Sequence, residues 1–428
     1  MSGETLTTPN KHLKIPTWIT REYFVNILKR DIPGFENIQQ FTSIAATAPG
    51  ENYTSTMVRV IIDVGIKDKQ SQRVSYILKT DLESSEARTM INSMNLFPKE
   101  KQMYAEYLLK FEQLYRDIAG LDVQFAPRCV HIEETPDRIT LVMEDLKCKH
   151  FKNIDRLKGF DMVHVKAVVK KLAEFHAASA VYEERNGPYE SLYYNSYFNE
   201  TNRSLFNAMY SLREDIFKKA MLEWNLDDVE KYLSILPEVD DFYEENLRLN
   251  HVDPMEFNVL NHGDCWSNNI MFTYNQNDHT TTIEEVLFVD FQISKWGSPA
   301  QDLWYLITNS IALDIKIKEF DHIIQIYHQQ LCKCLKLLKY TKNIPTLKEL
   351  HITMLKYGYW GVFTANCITP AILLPADKDA NMDNMLKPGL EGDQFRFKAF
   401  TSPPYKQAMR QLYPFLYNKG IFDINSKA

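Results

Sequence analysis

The chain contains 428 residues, of which 45% are apolar and 25% are charged, a balance that is ordinary for a globular protein. At that length a single compact core is not expected, so the sequence predicts two lobes or domains. The formal net charge of −7 argues against nucleic acid as a partner, because affinity for a phosphate backbone needs a basic face. We expect no membrane span, since no run of about 18 apolar residues occurs.

The six cysteines are scattered, without a Cys-x-x-Cys pair or histidines at zinc-binding spacing. Residues 1–14 are polar and lack the apolar stretch of a signal peptide. Both observations favour reduced thiols and a cytoplasmic location. Nothing in the pattern indicates an obligate protein partner.

The first part of the chain is predicted to be strand-rich. Residues 1–39 are expected to form an extension with a helix, followed by a small lobe at 40–146. Runs of β-branched residues bounded by turn residues predict strands at 57–64, 74–78 and 138–142. A long helix is predicted from Pro98 to about residue 115, since proline is well placed in the first turn of a helix.

From 147 to 428 the pattern is mainly helical. Residues 163–182 repeat apolar side chains at three- and four-residue spacing, which predicts an amphipathic helix. Further helices are predicted at 300–315, 318–338, 346–366 and 404–418. The segment 186–250 is rich in Tyr and Phe and reads as a mostly helical insert. Two short apolar segments, 259–260 and 286–289, flank the most informative part of the sequence.

That part reads Asn-His-Gly-Asp-Cys-Trp-Ser-Asn-Asn over residues 261–269. An aspartate followed by an asparagine on a loop between strands is what phosphoryl transfer to a hydroxyl requires, with Asp264 as base and Asn269 as a metal ligand. Asp290 ends the next apolar strand and suits a second metal ligand. Each aspartate alone would fit an ordinary turn or strand end, but their order and spacing favour the catalytic interpretation.

The strand-rich lobe contains candidates for ATP binding. Lys79 ends a predicted strand, and Glu100, one turn into the following helix, is its candidate ion-pair partner. Either alone fits a solvated strand end or a carboxylate at a helix N-terminus. Phosphate-covering backbone N–H groups are expected from a loop containing Gly50, Glu51, Asn52, Tyr53 and Ser55. That loop has one glycine, unlike G-x-G-x-x-G, and no Walker A sequence occurs.

Together these residues resemble the choline-kinase and aminoglycoside-phosphotransferase branch of the protein-kinase-like fold. More narrowly, the chain resembles the ecdysteroid kinase-like family. The segments that carry the resemblance are Gly50 to Tyr53, Glu144 to Leu146, Phe175 to Ser179, His262 to Trp266, Asp290 to Gln292, and Gly297 to Pro299 with Asp302.

The resemblance implies an α+β, bilobal fold with a small antiparallel-sheet N-lobe that binds ATP and a larger helical C-lobe. It also implies ATP and Mg²⁺ as cofactors, with Lys79 and Glu100 positioning the phosphates. Glu144, Asp145 and Leu146 would form the hinge whose backbone meets adenine. His262 and Asp302 would support the catalytic loop, whereas His176 is expected to be core packing.

The predicted reaction is transfer of a phosphoryl group from ATP to the hydroxyl of a small molecule. The resemblance favours an ecdysteroid, or a hydroxylated toxin or xenobiotic. The expected substrate cleft includes Trp266, Tyr193, Tyr197 and Trp360, although aromatic residues of the insert fit helix core equally well. A choline- or ethanolamine-type kinase is the alternative, with aromatics and Asp240, Asp241, Glu244 and Glu245 around a cation. A non-catalytic sterol- or nucleotide-binding protein is the alternative from another class.

Overall fold

A computed structural model describes residues 15–47, 55–68, 70–81, 94–275, 282–375, 384 and 387–424. The chain divides into two compact units. The first contains the described residues between 15 and 81 together with 126–151, and the second contains the remaining described residues.

The first unit is built on a five-stranded antiparallel sheet with the strand order β1-β2-β3-β5-β4. Its strands are β1 (Phe35–Ala45), β2 (Thr56–Ile66), β3 (Gln72–Thr80), β4 (Cys129–Thr135) and β5 (Arg138–Glu144). Lys79 on the central strand β3 is paired with Met57 of β2 and Leu141 of β5. A short 3₁₀ turn, Leu146–Lys149, follows β5.

One helix, α1 (Arg21–Asp31), packs on this sheet. It begins at Thr20, whose hydroxyl accepts a hydrogen bond from the Tyr23 N–H, which satisfies one of the unpaired donors of the first turn. Its apolar side chains pack against every second residue of β2. Successive residues of a strand point to opposite faces of the sheet, so these alternate residues all face the helix. The shared core contains Phe24, Ile27, Leu28, Val58, Val60, Ile62 and Val64.

The second unit is mainly helical. Its first helix, α2, is continuous through the segments Leu96–Gln102, Met103–Tyr107, Leu108–Leu114 and Tyr115–Ala119. The next helices are α3 (Met162–Asn186), α4 (Arg203–Leu222), α5 (Val229–Ser234), α6 (Val239–Asn250), α7 (Ala300–Ser310), α8 (Leu313–Lys316), α9 (Phe320–Leu337) and α10 (Leu347–Lys356). The last are α11 (Tyr359–Phe363, Thr364–Ile368 and Thr369–Ile372), α12 (Leu390–Phe400) and α13 (Pro403–Asn418). A 3₁₀ turn lies at Ser191–Tyr194.

Two short antiparallel pairs of strands lie among these helices. The strand β6 (Val259–Asn261) pairs with β9 (Lys295–Gly297), and β7 (Ile270–Tyr274) pairs with β8 (Ile283–Phe288). The turn Ser267–Asn269 leads directly into β7. The ends of these strands carry the residues 261–269 and Asp290 that the sequence analysis singled out.

Helix α7 lies in the interior of the second unit, since every one of its residues is buried. Trp304 donates from its indole nitrogen to the carbonyl oxygen of Met354 at 2.9 Å. Its ring packs so closely against α11 that a Cβ atom added at Gly361 would lie 2.7 Å from the ring. Helix α7 is therefore a fixed support for whatever side chains it presents.

The predicted elements agree with the structure in type, with differences at their edges. Strands predicted at 57–64, 74–78 and 138–142 correspond to β2, β3 and β5. The helix predicted from Pro98 begins at Leu96, so the proline lies in its first turn, and residues 94–125 group with the second unit and not with the sheet. In the described part of the chain, no helix is long and apolar enough to cross a membrane.

Candidate active site

The pairing of β7 with β8 brings Asn269 and Asp290 to the same end of a hairpin. Ile270 pairs with Phe288, so the residue before β7 and the residues after β8 are neighbours. The Val289 N–H donates to the carbonyl oxygen of Asn269 at 2.9 Å. Asp290 follows with a φ of 70°, a left-handed conformation that is uncommon for a residue other than glycine.

The carboxylate of Asp264 is held by side-chain donors on both oxygens. The amide nitrogen of Asn269 donates to Oδ2 at 2.8 Å, and also to the Asp264 carbonyl oxygen at 3.0 Å. The Tyr305 hydroxyl donates to Oδ1 at 2.5 Å. Because the side-chain amide nitrogen of Asn269 is directed at Asp264, the side-chain oxygen Oδ1 of Asn269 remains as an acceptor for a cation.

The electrostatics of this group fit a divalent cation. Burial, together with the negative charge of Asp290, raises the pKa of Asp264 to about 7, although hydrogen bonds from Tyr305, Asn269 and Trp266 act in the opposite direction. Two carboxylates that repel one another, beside an amide oxygen, make a set of oxygen ligands of the kind that Mg²⁺ binds. The residues present therefore fit the ion that the sequence analysis expected.

Asp302 of α7 holds the backbone of the loop that carries Asp264. Its carboxylate accepts the N–H of His262 at 2.6 Å and the N–H of Gly263 at 2.8 Å. The Asp302 N–H is in turn 3.3 Å from the side-chain oxygen of Asn261 at the end of β6. Since Asp302 is 1% exposed, these hydrogen bonds are its means of offsetting the cost of a buried charge.

His262 links the two halves of the site. The Asp264 N–H donates to its Nδ1 at 3.2 Å, so Nε2 carries the proton and donates to the Val289 carbonyl oxygen at 3.0 Å. The ring is fully buried against Phe291, with centroids 4.7 Å apart. The loop that carries Asp264 and the segment that carries Asp290 are thereby joined through one side chain.

Gly263 is required by the shape of the loop. Its φ is +84°, and a Cβ atom there would lie 2.7 Å from the carbonyl carbon of Ile293. Both the conformation and the close approach of a second backbone exclude a side chain at this position.

The candidate ATP-binding residues are distributed over both units. Lys79 is 1% exposed in the first unit, Glu100 is fully buried in the second, and Ser55 is 6% exposed at the start of β2. Gly50, Glu51, Asn52 and Tyr53 lie outside the described residues. The proposed pairing of Lys79 with Glu100 therefore stays a prediction.

Of the three candidate hinge residues, Glu144 is the last residue of β5, and Asp145 and Leu146 follow it in the first unit. Asp145 accepts hydrogen bonds from Arg59 Nε at 2.6 Å and from the Ser75 hydroxyl at 2.7 Å. The carboxylate of Glu144 accepts the backbone N–H of Arg128 at 2.9 Å, and Leu146 is buried. Both carboxylates are thus engaged within the unit, and the contact of this segment with adenine stays a prediction.

The candidate cleft residues differ in exposure. Trp266 and Tyr197 are half-buried, and Trp266 hydrogen-bonds Asp264. Tyr193 is fully buried and donates to the carbonyl oxygen of Lys99 at 3.1 Å, while Trp360 is 3% exposed and packs against Phe363. These last two placements favour core packing, one of the two interpretations left open for the aromatic residues.

Two residues at the site were not anticipated. Tyr305 was missed altogether, although it stands three residues after Asp302 and so on the same helix face. His176 was expected to be core packing; it is fully buried, but it also contacts the Asp302 carboxylate. The sequence feature that could have predicted this contact is the position of His176 in Phe-His-Ala-Ala-Ser, where one polar ring stands in an apolar run and needs a buried hydrogen-bond partner.

An antiparallel sheet in one unit, a helical second unit and the loop geometry around Asp264 together define an α+β fold of the protein-kinase-like class. The sequence profile of the ecdysteroid kinase-like family matches residues 49–340, well over half of the chain. The chain therefore belongs to the ecdysteroid kinase-like family, a small-molecule kinase family. No curated protein matches it significantly.

Similar solved structures include amicoumacin kinase hAmiN, at 13% identity and a TM-score of 0.34 over 86% of this chain and 90% of that one. A putative fructosamine-3-kinase from Haemophilus somnus has 9% identity and a TM-score of 0.31 over 78% and 95%. A glucosamine kinase complex with glucosamine, ADP and phosphate has 10% identity and a TM-score of 0.28 over 92% and 94%. At these values the family match, and not these structures, carries the assignment.

Proposed function

We propose that this protein is an ATP- and Mg²⁺-dependent kinase that phosphorylates an alcohol hydroxyl of a small molecule. The observation that carries the proposal is the grouping of Asp264, Asn269 and Asp290 where β6 and β8 end and β7 begins. A base with two oriented oxygens stands beside two oxygen ligands for a cation, which is the arrangement that phosphoryl transfer needs.

Each residue has a definite task in this proposal. Asp264 accepts the proton of the acceptor hydroxyl, and its oriented carboxylate fixes the direction of attack. Asn269 and Asp290 hold Mg²⁺, which when bound neutralises charge on the ATP phosphates. Lys79 and Glu100 position those phosphates, and the segment Glu144 to Leu146 receives adenine through its backbone.

The family match and the aromatic side chains near the base favour a bulky apolar alcohol as acceptor. We propose an ecdysteroid or a hydroxylated xenobiotic or toxin, with detoxification or hormone inactivation as the outcome. Tyr197 and Trp266 both interact with Asp264, and their rings suit contact with an apolar ring system.

The choline-type alternative is less well supported. It needs unpaired acidic residues around a cation. Glu244 is paired with Arg203 at 2.5 Å, Glu245 is paired with Arg248 at 2.6 Å, and Asp240 accepts a hydrogen bond from Asn207 at 2.7 Å. These groups therefore have partners within the protein.

The proposal is tested by incubating the protein with γ-labelled Mg-ATP and a panel of ecdysteroids, choline, ethanolamine and hydroxylated plant toxins. Asp264→Asn should lower kcat by about 10²–10⁴-fold, the range for loss of a general base, with ATP affinity nearly unchanged. Asp215→Asn, which alters an exposed carboxylate on α4, is the matched control and should retain full turnover.

Each outcome has a distinct meaning. Label transferred to a sterol or toxin, and lost in Asp264→Asn, supports the proposal together with its acceptor class. Label transferred only to choline or ethanolamine supports the alternative. Thermal stabilisation by Mg-ATP is measured in parallel, and its absence would favour a non-catalytic protein.

A further inference from the structure

Helix α7 presents two polar side chains to the same loop. Asp302 and Tyr305 are three residues apart on a helix of 3.6 residues per turn, so they project from the same face. Asp302 accepts the backbone N–H groups of His262 and Gly263, and Tyr305 donates to the Asp264 side chain. The backbone of the loop and its carboxylate are thus held from one buried helix.

The tyrosine contact has the geometry of a strong hydrogen bond. The hydroxyl of Tyr305 lies 2.5 Å from Asp264 Oδ1, within the range for a hydroxyl that donates to a carboxylate. Tyr305 itself is 2% exposed, so water does not compete for its hydroxyl. Burial and the negative charge of Asp264 raise the pKa of Tyr305 well above 10, which keeps it protonated and a donor.

The two oxygens of Asp264 have different partners. Asn269, a candidate metal ligand, holds Oδ2 at 2.8 Å, and Tyr305 holds Oδ1. Without the tyrosine, the carboxylate would keep Asn269 and Trp266 as partners but lose its buried hydroxyl donor on Oδ1, and it would gain freedom to rotate about χ2, a torsion with a broad energy profile. Tyr305 also interacts with the half-buried Tyr197.

We propose that Tyr305 is a positioning residue that fixes the rotamer of the catalytic base Asp264 and so directs its Oδ1 lone pair at the acceptor hydroxyl. This inference rests on the proposed function. It adds a buried anchor on Oδ1 to the hydrogen bonds from Asn269 and Trp266, and it assigns to α7 the task of holding both the loop and the carboxylate.

The test compares Tyr305→Phe with the wild type, using γ-labelled Mg-ATP and whichever panel alcohol accepts label, or water if none does. We expect kcat to fall about 10- to 100-fold, the cost of a misplaced reacting group, while the KM values of ATP and acceptor change less than about twofold. Tyr405→Phe is the control, because it also loses a buried hydroxyl, which donates to the Ala365 carbonyl oxygen at 3.0 Å.

A second readout does not depend on turnover. Thermal unfolding of Tyr305→Phe, Asp264→Asn and the double variant forms a thermodynamic cycle. We expect the effect of Tyr305→Phe on the unfolding temperature to shrink by more than half in the Asp264→Asn background, because the two groups are partners.

The outcomes separate the two claims. An active wild type with full kcat in Tyr305→Phe, or with additive shifts in the cycle, overturns the positioning role alone. A loss of kcat in Tyr405→Phe equal to that in Tyr305→Phe also overturns it. A wild type that neither binds Mg-ATP nor transfers label overturns the proposed function, and this inference with it.

Discussion

The imidazole of His176 lies with its Nε2 atom 3.1 Å from the Oδ2 atom of Asp302, and neither side chain is more than 1% exposed. The other ring nitrogen is 2.7 Å from the hydroxyl of Tyr327 on α9. A carboxylate accepts, so Nε2 carries the proton and Nδ1 accepts from the tyrosine. Helices α3, α7 and α9 are therefore linked by a buried chain of hydrogen bonds that ends at the backbone of the catalytic loop.

That chain predicts a stability defect in Asp302→Asn. The substitution replaces one acceptor oxygen with an N–H donor that faces the N–H groups of the loop or of His176. Breaking a buried charged network in this way should cost about 3 kcal/mol in the free energy of unfolding. Urea denaturation of the variant measures this cost.

Asp215→Asn, at an exposed position, is expected to unfold within about 0.5 kcal/mol of the wild type. If Asp302→Asn were as stable as that control, the carboxylate would not be supporting the loop.

Gly263→Ala should lower the stability of the protein more than an alanine substitution at an ordinary glycine with a left-handed conformation. Both the positive φ and the approach of Ile293 oppose the new methyl group. Gly120→Ala isolates the first effect, because Gly120 has a φ of +65° and no atom within 4 Å of the added Cβ. We expect the free energy of unfolding to fall by about 1 kcal/mol in the control Gly120→Ala and by at least twice as much in Gly263→Ala. Equal losses in thermal unfolding would show that the loop can shift away from Ile293.

Asp290→Asn should weaken the dependence of nucleotide binding on Mg²⁺. The substitution removes the charge that faces Asp264 and the cation. The measurement is the rise in unfolding temperature on adding ATP, with Mg²⁺ and then with a chelator. A tenfold loss of affinity for Mg-ATP would remove about 1.4 kcal/mol of ligand stabilisation.

The same experiment gives its own reference, since ATP with chelator should stabilise the wild type and Asp290→Asn alike. A variant that kept the full Mg²⁺-dependent increment would exclude Asp290 as a metal ligand.

Lys295 predicts a pH-dependent stability. It is 2% exposed, and its ammonium nitrogen has no hydrogen-bond partner among the described residues. Burial, with a smaller contribution from the charge of Lys99, lowers its pKa to about 7, far below the value of about 10.4 in an unfolded chain. Between these values the unfolded chain binds more protons, so stability rises as the pH increases from about 7 to about 10.

Lys295→Met should therefore raise the free energy of unfolding at pH 7 by about 1–3 kcal/mol, the cost of a buried unpaired polar group. The gain should shrink towards pH 10, and the slope of stability against pH should decrease. Lys333→Met, at an exposed position on α9, should leave the slope unchanged. Urea titrations at four pH values between 7 and 10 test this, and an unchanged slope in Lys295→Met would contradict it.

The parts of the fold that the sequence predicted are those with clean periodicity. Strand β2 is buried at alternate positions, and its β-branched run was read correctly. Strand β1 was not assigned individually, because register shifts between Phe35 and Asn37 and between Ile38 and Gln40 interrupt its alternation. Strand β4 was not assigned individually either, because at the edge of the sheet its side chains are only partly buried and show no alternation.

At the site, proximity along strand ends was predictable and proximity across helices was not. Asn269 and Asp290 meet because β7 pairs with β8. The apolar segment 286–289 predicted the strand end that carries Asp290, whereas β7 was not assigned from the sequence. Tyr305 lies within Leu-Trp-Tyr-Leu-Ile, a run that is indistinguishable from helix core until the direction of α7 is known. The same holds for His176, whose partner stands 126 positions away.

The hairpin β7–β8 has a consequence for comparing this chain with its relatives. Its two candidate metal ligands sit at the open end, where the register Ile270 to Phe288 fixes their separation in space. The number of residues connecting Tyr274 to Ile283 at the other end does not enter that separation. Insertions or deletions between these strands should leave the cation site intact, so the interval from Asn269 to Asp290 is free to vary during divergence. A search pattern with a fixed gap there would miss true relatives.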